Sequence, residues 1–345
     1  MLLVLCFGGG YKVLTWVVSV MLPPMAIFFP LFTLLEDLGY LPRIAFNMDK
    51  TFKKCNACGK QALTMCMGFG CNACGVVGAR IIDSPRERLI AILTNAFVPC
   101  NGRFPAMISI ISMFLIGSYT GVFSSFAGVV ILFLVILLGI MMTFISSKLL
   151  SKTLLKGETS SFTLELPPYR VPKIGSTIVR SIFDRTLFVL GRAALVALPT
   201  GIVIWLLANI NISDVSILKY ITDFLDPFAR IIGLDGVLLA AFILGFPANE
   251  IVIPIAMMAY NLSGELSQIN NLMEMKNILL LNGWTINTAV CTIIFSLMHW
   301  PCSTTCLTIL KETKSVKWTV ISVLLPTIFG MITCAIITFI YNLII

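Results

Sequence analysis

Residues 64–80 read TMCMGFGCNACGVVGAR and residues 89–103 read LIAILTNAFVPCNGR, with a short charged loop between them. The first stretch is apolar enough for a bilayer, yet it carries Gly68, Gly70, Cys71, Asn72, Cys74 and Gly75 almost in a row. Each interior glycine costs about 1 kcal/mol of helix propensity, so the pattern predicts a helix that breaks. Backbone released from helical pairing is tolerated at membrane depth only where it is buried in protein or lines a cavity. A break bearing Cys and Asn is therefore a candidate transport site. The pattern returns in the second half of the chain. Gly68-Phe69 and Asn72 followed by Pro99-Cys100 are matched by Gly245-Phe246, Pro247 and Asn249-Glu250 followed by Pro301-Cys302. Two such units indicate an internal repeat.

Outward from these units the chain is a polytopic membrane protein. Of 345 residues 58% are apolar and 12% charged, half the roughly 25% charge of soluble domains. Uncharged runs long enough for a bilayer of about 30 Å span Val13–Leu35, Phe104–Ser147 (length for two crossings), Ala193–Ser213, Asn277–Leu310 and Trp318–Ile345. Gln61–Ala79 and the segments flanking Glu250 are interrupted runs. The formal charge of +8 lies in loops between spans, where a positive-inside bias accounts for it; nucleic-acid binding is excluded on that ground.

Arg43, Lys50, Lys53, Lys54 and Lys60 place the loop after the first span in the cytoplasm, and Leu41, Ile44, Ala45, Met48 and Phe52 give that loop the spacing of an interfacial helix. Pro23, Pro24 and Pro30 predict a kink or break in the first span. Arg80, Arg86 and Arg88 return the chain to the cytoplasm, so Gln61–Ala79 is expected to be re-entrant. Residues 89–115 and 122–147 then cross as spans about a short turn at 117–121, and LELPPYRVPKIG forms an extended cytoplasmic linker. In the second half Asp214, Asp223, Asp226 and Asp235 outnumber Lys219 and Arg230 in an outer loop, whereas Lys311, Lys314 and Lys317 lie inside. That sign reversal predicts an inverted repeat with broken re-entrant segments in an all-α fold.

Cys71 and Cys100 each sit beside a helix breaker, Gly70 and Pro99, where thiol, Asn72 amide and free carbonyls can meet a borderline divalent ion. Equally, cysteine packs well as a small buried hydrophobe. Glu250 is an intramembrane carboxylate, which by default is functional, either as an ion ligand or as partner to a cation such as Arg103. Cys55-Asn-Ala-Cys58 and Cys71-Asn-Ala-Cys74 have zinc-ribbon spacing, but one pair lies in a basic loop and the other in a broken apolar segment. Cys55, Cys58, Cys66, Cys74 and Cys306 are accessory metal candidates; Cys302 and Cys306 share a helix face if the helix resumes after Pro301. Cys6, Cys291 and Cys334 have no companions and read as packing, as does the sole histidine, His299, through a hydrogen bond. There is no nucleotide-binding glycine loop and no nucleophile-base arrangement, so no enzyme activity is expected.

The motifs MLPPMAIFFPLFTLLEDLGYLPRIAFNMD, GFGCN, ARIIDSPRERL, PCNGRFP, ELPPYRVP, GFPANE and WPCSTTCLTILKET resemble, in content and order, the membrane portion of the ferrous iron transport protein B family. The resemblance implies a multi-pass bacterial inner-membrane Fe(II) importer with two gate-type units. The span and charge pattern divides the chain into residues 1–10 (truncated leader or remnant), 11–147 (first unit), 148–185 (cytoplasmic linker) and 186–345 (second unit). The resemblance places Cys71, Cys100 and Cys302 on the iron path. It also implies a GTP-binding domain, in trans or on a longer chain, with small cytoplasmic accessory proteins as partners and no tightly bound cofactor. Homo-oligomer formation is left open. Ala73-Cys74-Gly75 replaces the valine-proline-alanine run usual in that family, and extra thiols favour softer ions. The path expected from the sequence is lined by Cys71, Asn72, Cys100, Glu250 and Cys302, with Arg103, Asn249, Gly68, Gly70, Pro99, Pro247 and Pro301 shaping it. The alternatives are another divalent metal, a small organic solute such as a nucleoside, or a membrane metal sensor that does not transport.

Overall fold

The prolines of the first apolar run do not break it. In the computed structural model, which describes residues 10–116, 122–157, 175, 179, 181–212, 215–261 and 272–344, helix α1 (Lys12–Asp37) continues through Pro23, Pro24 and Pro30. Proline removes the donors that would reach the carbonyls of Ser19, Val20 and Ala26, but packing holds the helix on course through buried Val13, Val17, Met25 and Phe29. The expectations for residues 1–9, for the turn at 117–121 and for most of the linker fall outside the described residues.

Helix α2 (Tyr40–Lys53) follows as an amphipathic piece. Its buried face is Leu41, Ala45, Asp49 and Phe52, with Met48 exposed, a small rotation from the expected face. Asp49 turns inward because its carboxylate accepts the Gly59 amide at 2.9 Å and pairs with Lys53 at 2.7 Å. The next apolar run breaks as expected: α3 (Gln61–Gly70) and α4 (Asn72–Gly78) are separated by an extended Cys71. The run after it breaks too, where the sequence suggested one crossing. Helix α5 (Pro85–Thr94), capped by Ser84, gives way to a 3-10 turn at Asn95–Phe97, extended residues through Cys100 and a second 3-10 turn at Asn101–Arg103. Helix α6 (Phe104–Ile110) and a π-turn segment (Ile111–Ile116) complete it, and α7 (Val122–Lys152) closes the half.

The second half repeats this order: span α8 (Leu187–Asn209), amphipathic α9 (Ile217–Ile231), broken pair α10 (Gly236–Leu244) and α11 (Val252–Asn261), and short α12 (Leu272–Leu281). Then come broken pair α13 (Ile286–Met298) and α14 (Ser303–Thr313) and span α15 (Val316–Ile344). Two short strands, Asn211–Ile212 and Val215–Ser216, pair antiparallel in the loop before α9. The repeat extends to backbone torsions. Cys71 has φ −156° and ψ 126° where Ala248, at the matching break, has φ −151° and ψ 121°. Cys100 has φ −83° and ψ 166° where Cys302 has φ −61° and ψ 160°.

Among the described residues six continuous or broken helices are long and apolar enough to cross a membrane, and the pair α9 and α10, bent by 108°, adds a further segment of that quality. The protein is thus a multi-pass membrane protein built of two inverted gate-type repeats. Its outer spans face outward with Phe126, Val129, Phe133 and Leu134 on α7 and Leu324, Ile328, Ile336 and Phe339 on α15. Lipid-facing surface gives no hydrophobic drive between helices, so close van der Waals packing holds the bundle. Two glycines show how close: a Cβ on Gly139 of α7 would sit 2.7 Å from the Phe97 carbonyl, and one on Gly330 of α15 would sit 3.1 Å from the Met298 carbonyl. Each outer span thereby lies directly against the second break of its own half.

Candidate functional site

Helix breaks leave carbonyls and amides without partners, and the chain satisfies them with side chains. In the first half, Asn95 donates to the Asn72 carbonyl at 2.8 Å. Asn72, its amide nitrogen turned inward, donates to the carbonyls of Gly68 and Val98 at 3.2 and 3.1 Å. In the second half, the ring of His299 stands with Nδ1 against the carbonyls of Phe295 and Ser296 (3.1 and 2.9 Å) and Nε2 facing the Asn249 amide at 3.2 Å. All three partners of the ring are oxygens, the one at Nε2 being the Asn249 side-chain carbonyl, so the ring acts here as a hydrogen-bond donor. Ser303 ties the same two breaks through its amide to the Phe246 carbonyl (2.8 Å) and its hydroxyl to the Pro247 carbonyl (3.2 Å). In each half an asparagine thus links the first break to the second.

Arg103 joins the halves. Its guanidinium is 1% exposed and donates to four carbonyls: Ala96 at 2.9 Å, Leu297 at 2.7 Å, His299 at 3.2 Å and Trp300 at 3.3 Å. The sequence offered Arg103 as a partner for Glu250. Among the described residues no carboxylate lies within ion-pair distance of it, because its fork fits the carbonyls that the Pro301 break sets free. Glu250 instead packs on the backbone of residue 102, where a Cβ would collide with its carboxylate.

The breaks converge on a cavity of about 30 Å³, room for roughly two water molecules. All five residues expected on the path line it: Cys71, Asn72, Cys100, Glu250 and Cys302. Gly70, Pro247 and Asn249 form part of its wall, and Met21, Met25, Asn101 and Thr304 are also in it. Gly68 stands behind it against Asn95, and Pro99 against α7 at Gly139. Among the described residues no three of His, Cys, Asp and Glu are grouped so as to hold a metal ion. The cavity is therefore not a preformed coordination centre in this conformation.

The accessory thiols do not gather. Cys58 packs with Val76, Ala79 and Ile82, whereas Cys71 packs with Met25, Phe29 and Ala73 beside Cys74, and among the described residues the thiols of the two CNAC pairs are not gathered into a metal site. Burial, with Glu87 adding to it, pushes the Cys58 thiol up to about 11. Cys55 and Cys66 are half-buried in the loop and on α3. Cys306 faces the Pro301 carbonyl at 3.5 Å, and Cys302 the Thr305 hydroxyl at 3.2 Å. Cys291 and Cys334 do have companions: each other.

Sequence reasoning missed Asn95, Met21 and Met25. Asn95 stands out in LTNAFVPCN as an uncharged polar group at membrane depth, and Met21 and Met25 lie four residues apart beside Pro23-Pro24, on one helix face with soft sulfur. At the end of the molecule where α4 and α14 finish, Arg80 grips Glu312 with two bonds of 2.8 and 2.6 Å. Lys60 beside Asp83 holds that carboxyl below its usual range. At the opposite end a cavity of about 680 Å³ is lined by residues including Asp223, Asp226, Asp235, Arg230 and Tyr260.

A family model described as "Nucleoside recognition" (Gate) matches residues 18–114 and 190–316, and one described as "Ferrous iron transport protein B C terminus" matches residues 132–184. The Fe(2+) transporter FeoB of Staphylococcus aureus (strain MSSA476) is 32% identical over 332 residues, covering 94% of this chain and 46% of that protein. Its namesake in Leptospira interrogans (strain 56601) is 27% identical, covering 87% and 46%, and that of Methanocaldococcus jannaschii is 28% identical, covering 94% and 48%. The chain spans about half the length of these curated relatives. No solved structure matches it.

Proposed function

We propose that this chain, which belongs to the Gate family, is the metal-translocating membrane part of a ferrous iron transporter. The observation that carries the reading is the convergence of four chain breaks, two from each inverted half, on one small cavity lined by Cys71, Asn72, Cys100, Glu250 and Cys302. Sulfur, carboxylate and amide oxygen suit a borderline divalent cation. The space suits an ion that has shed most of its water. Passage requires the lining groups to close on the ion and release it, as the halves tilt about the Arg103 tie, with no closed cage to trap it. In this reading Fe(II) is cargo, the membrane is a bacterial inner membrane with the Arg80–Glu312 end in the cytoplasm, and a GTP-binding domain on the same or another chain supplies the coupling.

The family description raises a second reading, recognition of a nucleoside. A cavity of about 30 Å³ is far below the roughly 300–1,000 Å³ of small-molecule pockets, so the convergence point favours an ion. The cavity of about 680 Å³ at the other end has the volume a nucleoside needs. Uptake of Fe(II) into membrane vesicles separates the two, with nucleosides as competitors. Cys71→Ser, Cys100→Ser, Cys302→Ser and Glu250→Gln are each expected to lower initial iron uptake at unchanged expression. Normal uptake in all four would remove the cavity from the path, and loss of iron uptake to competing nucleoside would favour the second reading.

A further inference from the structure

Helices α13 and α15 pack antiparallel along a ladder of three contacts. Gly330 meets the Met298 backbone, Cys334 meets Cys291, and Thr338 meets Asn287 at 3.3 Å. At the middle rung the two cysteines contact one another: Cys334 Sγ lies 3.4 Å from the Cys291 carbonyl, and Cys291 Sγ lies 3.8 Å from the Cys334 carbonyl, with the Thr338 hydroxyl at 3.5 Å and the Asn287 side-chain oxygen at 3.6 Å beside it. Such reciprocal contacts put the two side chains alongside one another across the helix interface. Both residues are fully buried and both thiols are free. The elbow between α9 and α10 covers them, since Gly233 sits against Cys291 Sγ and the Thr338 hydroxyl. Nothing in the iron path uses either sulfur.

We infer that Cys291 and Cys334 are a site of reversible oxidative modification, closing to a disulfide that pins α13 to α15. The oxidant is a small, membrane-permeant peroxide, since the sulfurs are sealed from any protein oxidant. One thiol is oxidised to a sulfenic acid as the peroxide O–O bond takes two electrons and a water leaves. The second sulfur then attacks the first, the S–S bond forms, and the sulfenic oxygen departs as water with the second thiol's proton. The sum is two thiols and one hydrogen peroxide giving one disulfide and two waters. A dithiol reverses it by exchange.

The consequence follows from where α13 leads. It ends at His299, Trp300 and Cys302, the second break of the cavity wall, so a covalent tie to the outer span α15 removes the freedom of that break to move. Oxidation is expected to arrest the gate, a useful response for a protein passing Fe(II), which peroxide oxidises. The arrest rests on the transport reading above; formation of the disulfide does not.

The test treats the full chain in membrane vesicles with hydrogen peroxide, blocks remaining thiols, and maps peptides by mass spectrometry while iron uptake is followed. The expected result is a Cys291–Cys334 linked peptide whose fraction tracks the loss of uptake, reversed by dithiothreitol. Cys291→Ala and Cys334→Ala should each transport without peroxide and resist it. Absence of the linked peptide while exposed thiols are oxidised overturns the inference. A linked peptide with unchanged uptake retains the modification and overturns its role at the gate. Should both variants fail to fold, the wild-type peptide map still decides whether the bond forms.

Discussion

Replacing Arg103 with methionine tests whether the two halves are joined as described. The guanidinium is fully enclosed and donates to carbonyls at Ala96, Leu297, His299 and Trp300. Hydrogen bonds to charged groups contribute about 1.5–3 kcal/mol each, so four amount to roughly 6–12 kcal/mol before costs. Burying a cation without a carboxylate partner costs several kcal/mol, and methionine recovers that. The carbonyls it strands cost about 1–3 kcal/mol each, though the chain relaxes around some of them. The net expected loss is about 3–5 kcal/mol, the range seen when one partner of a buried charged network is removed. In a detergent-solubilised thermal melt this corresponds to a drop on the order of 10 °C. Lysine keeps the charge but not the fork, so Arg103→Lys should recover only part of the loss. A melting temperature for Arg103→Met within about 1 °C of wild type would refute the assignment of Arg103 as the tie.

Two further outcomes follow from the geometry. Gly102→Ala places a methyl group on the Glu250 carboxylate and should lower iron uptake, while Gly102→Ala with the shorter Glu250→Asp should partly restore it; wild-type uptake in the single variant would show that Glu250 can leave its place without cost. The Cys58 thiol, pushed up to about 11 by burial, should resist maleimide at neutral pH and label progressively faster as pH rises toward that value, because burial disfavours the thiolate. Half-buried Cys55 serves as the internal reference in the same peptide map, and equal labelling of both at neutral pH would contradict the burial of Cys58.

The membrane class, the inverted duplication and the breaks at Cys71 and Gly245–Ala248 were legible in the amino-acid order alone. Glycine and proline act on local backbone energy, and charge acts through loop placement, so both can be read without knowing any contact. That order also named the five cavity residues, because a thiol, amide or carboxylate beside a helix breaker is costly at membrane depth unless something uses it. It marked Pro99 and Pro301 as breakers within their spans, but it did not determine that α1 would run through three prolines. Proline's local cost is similar in each case, and only the surrounding packing decides whether a helix absorbs it. Nor did it separate the CNAC pairs, turn Arg103 from Glu250 to carbonyls, or bring Cys291 to Cys334. Those outcomes join residues up to some two hundred positions apart. They depend on which helix faces meet when one inverted half closes on the other, a property of the packed bundle that no local stretch of chain contains.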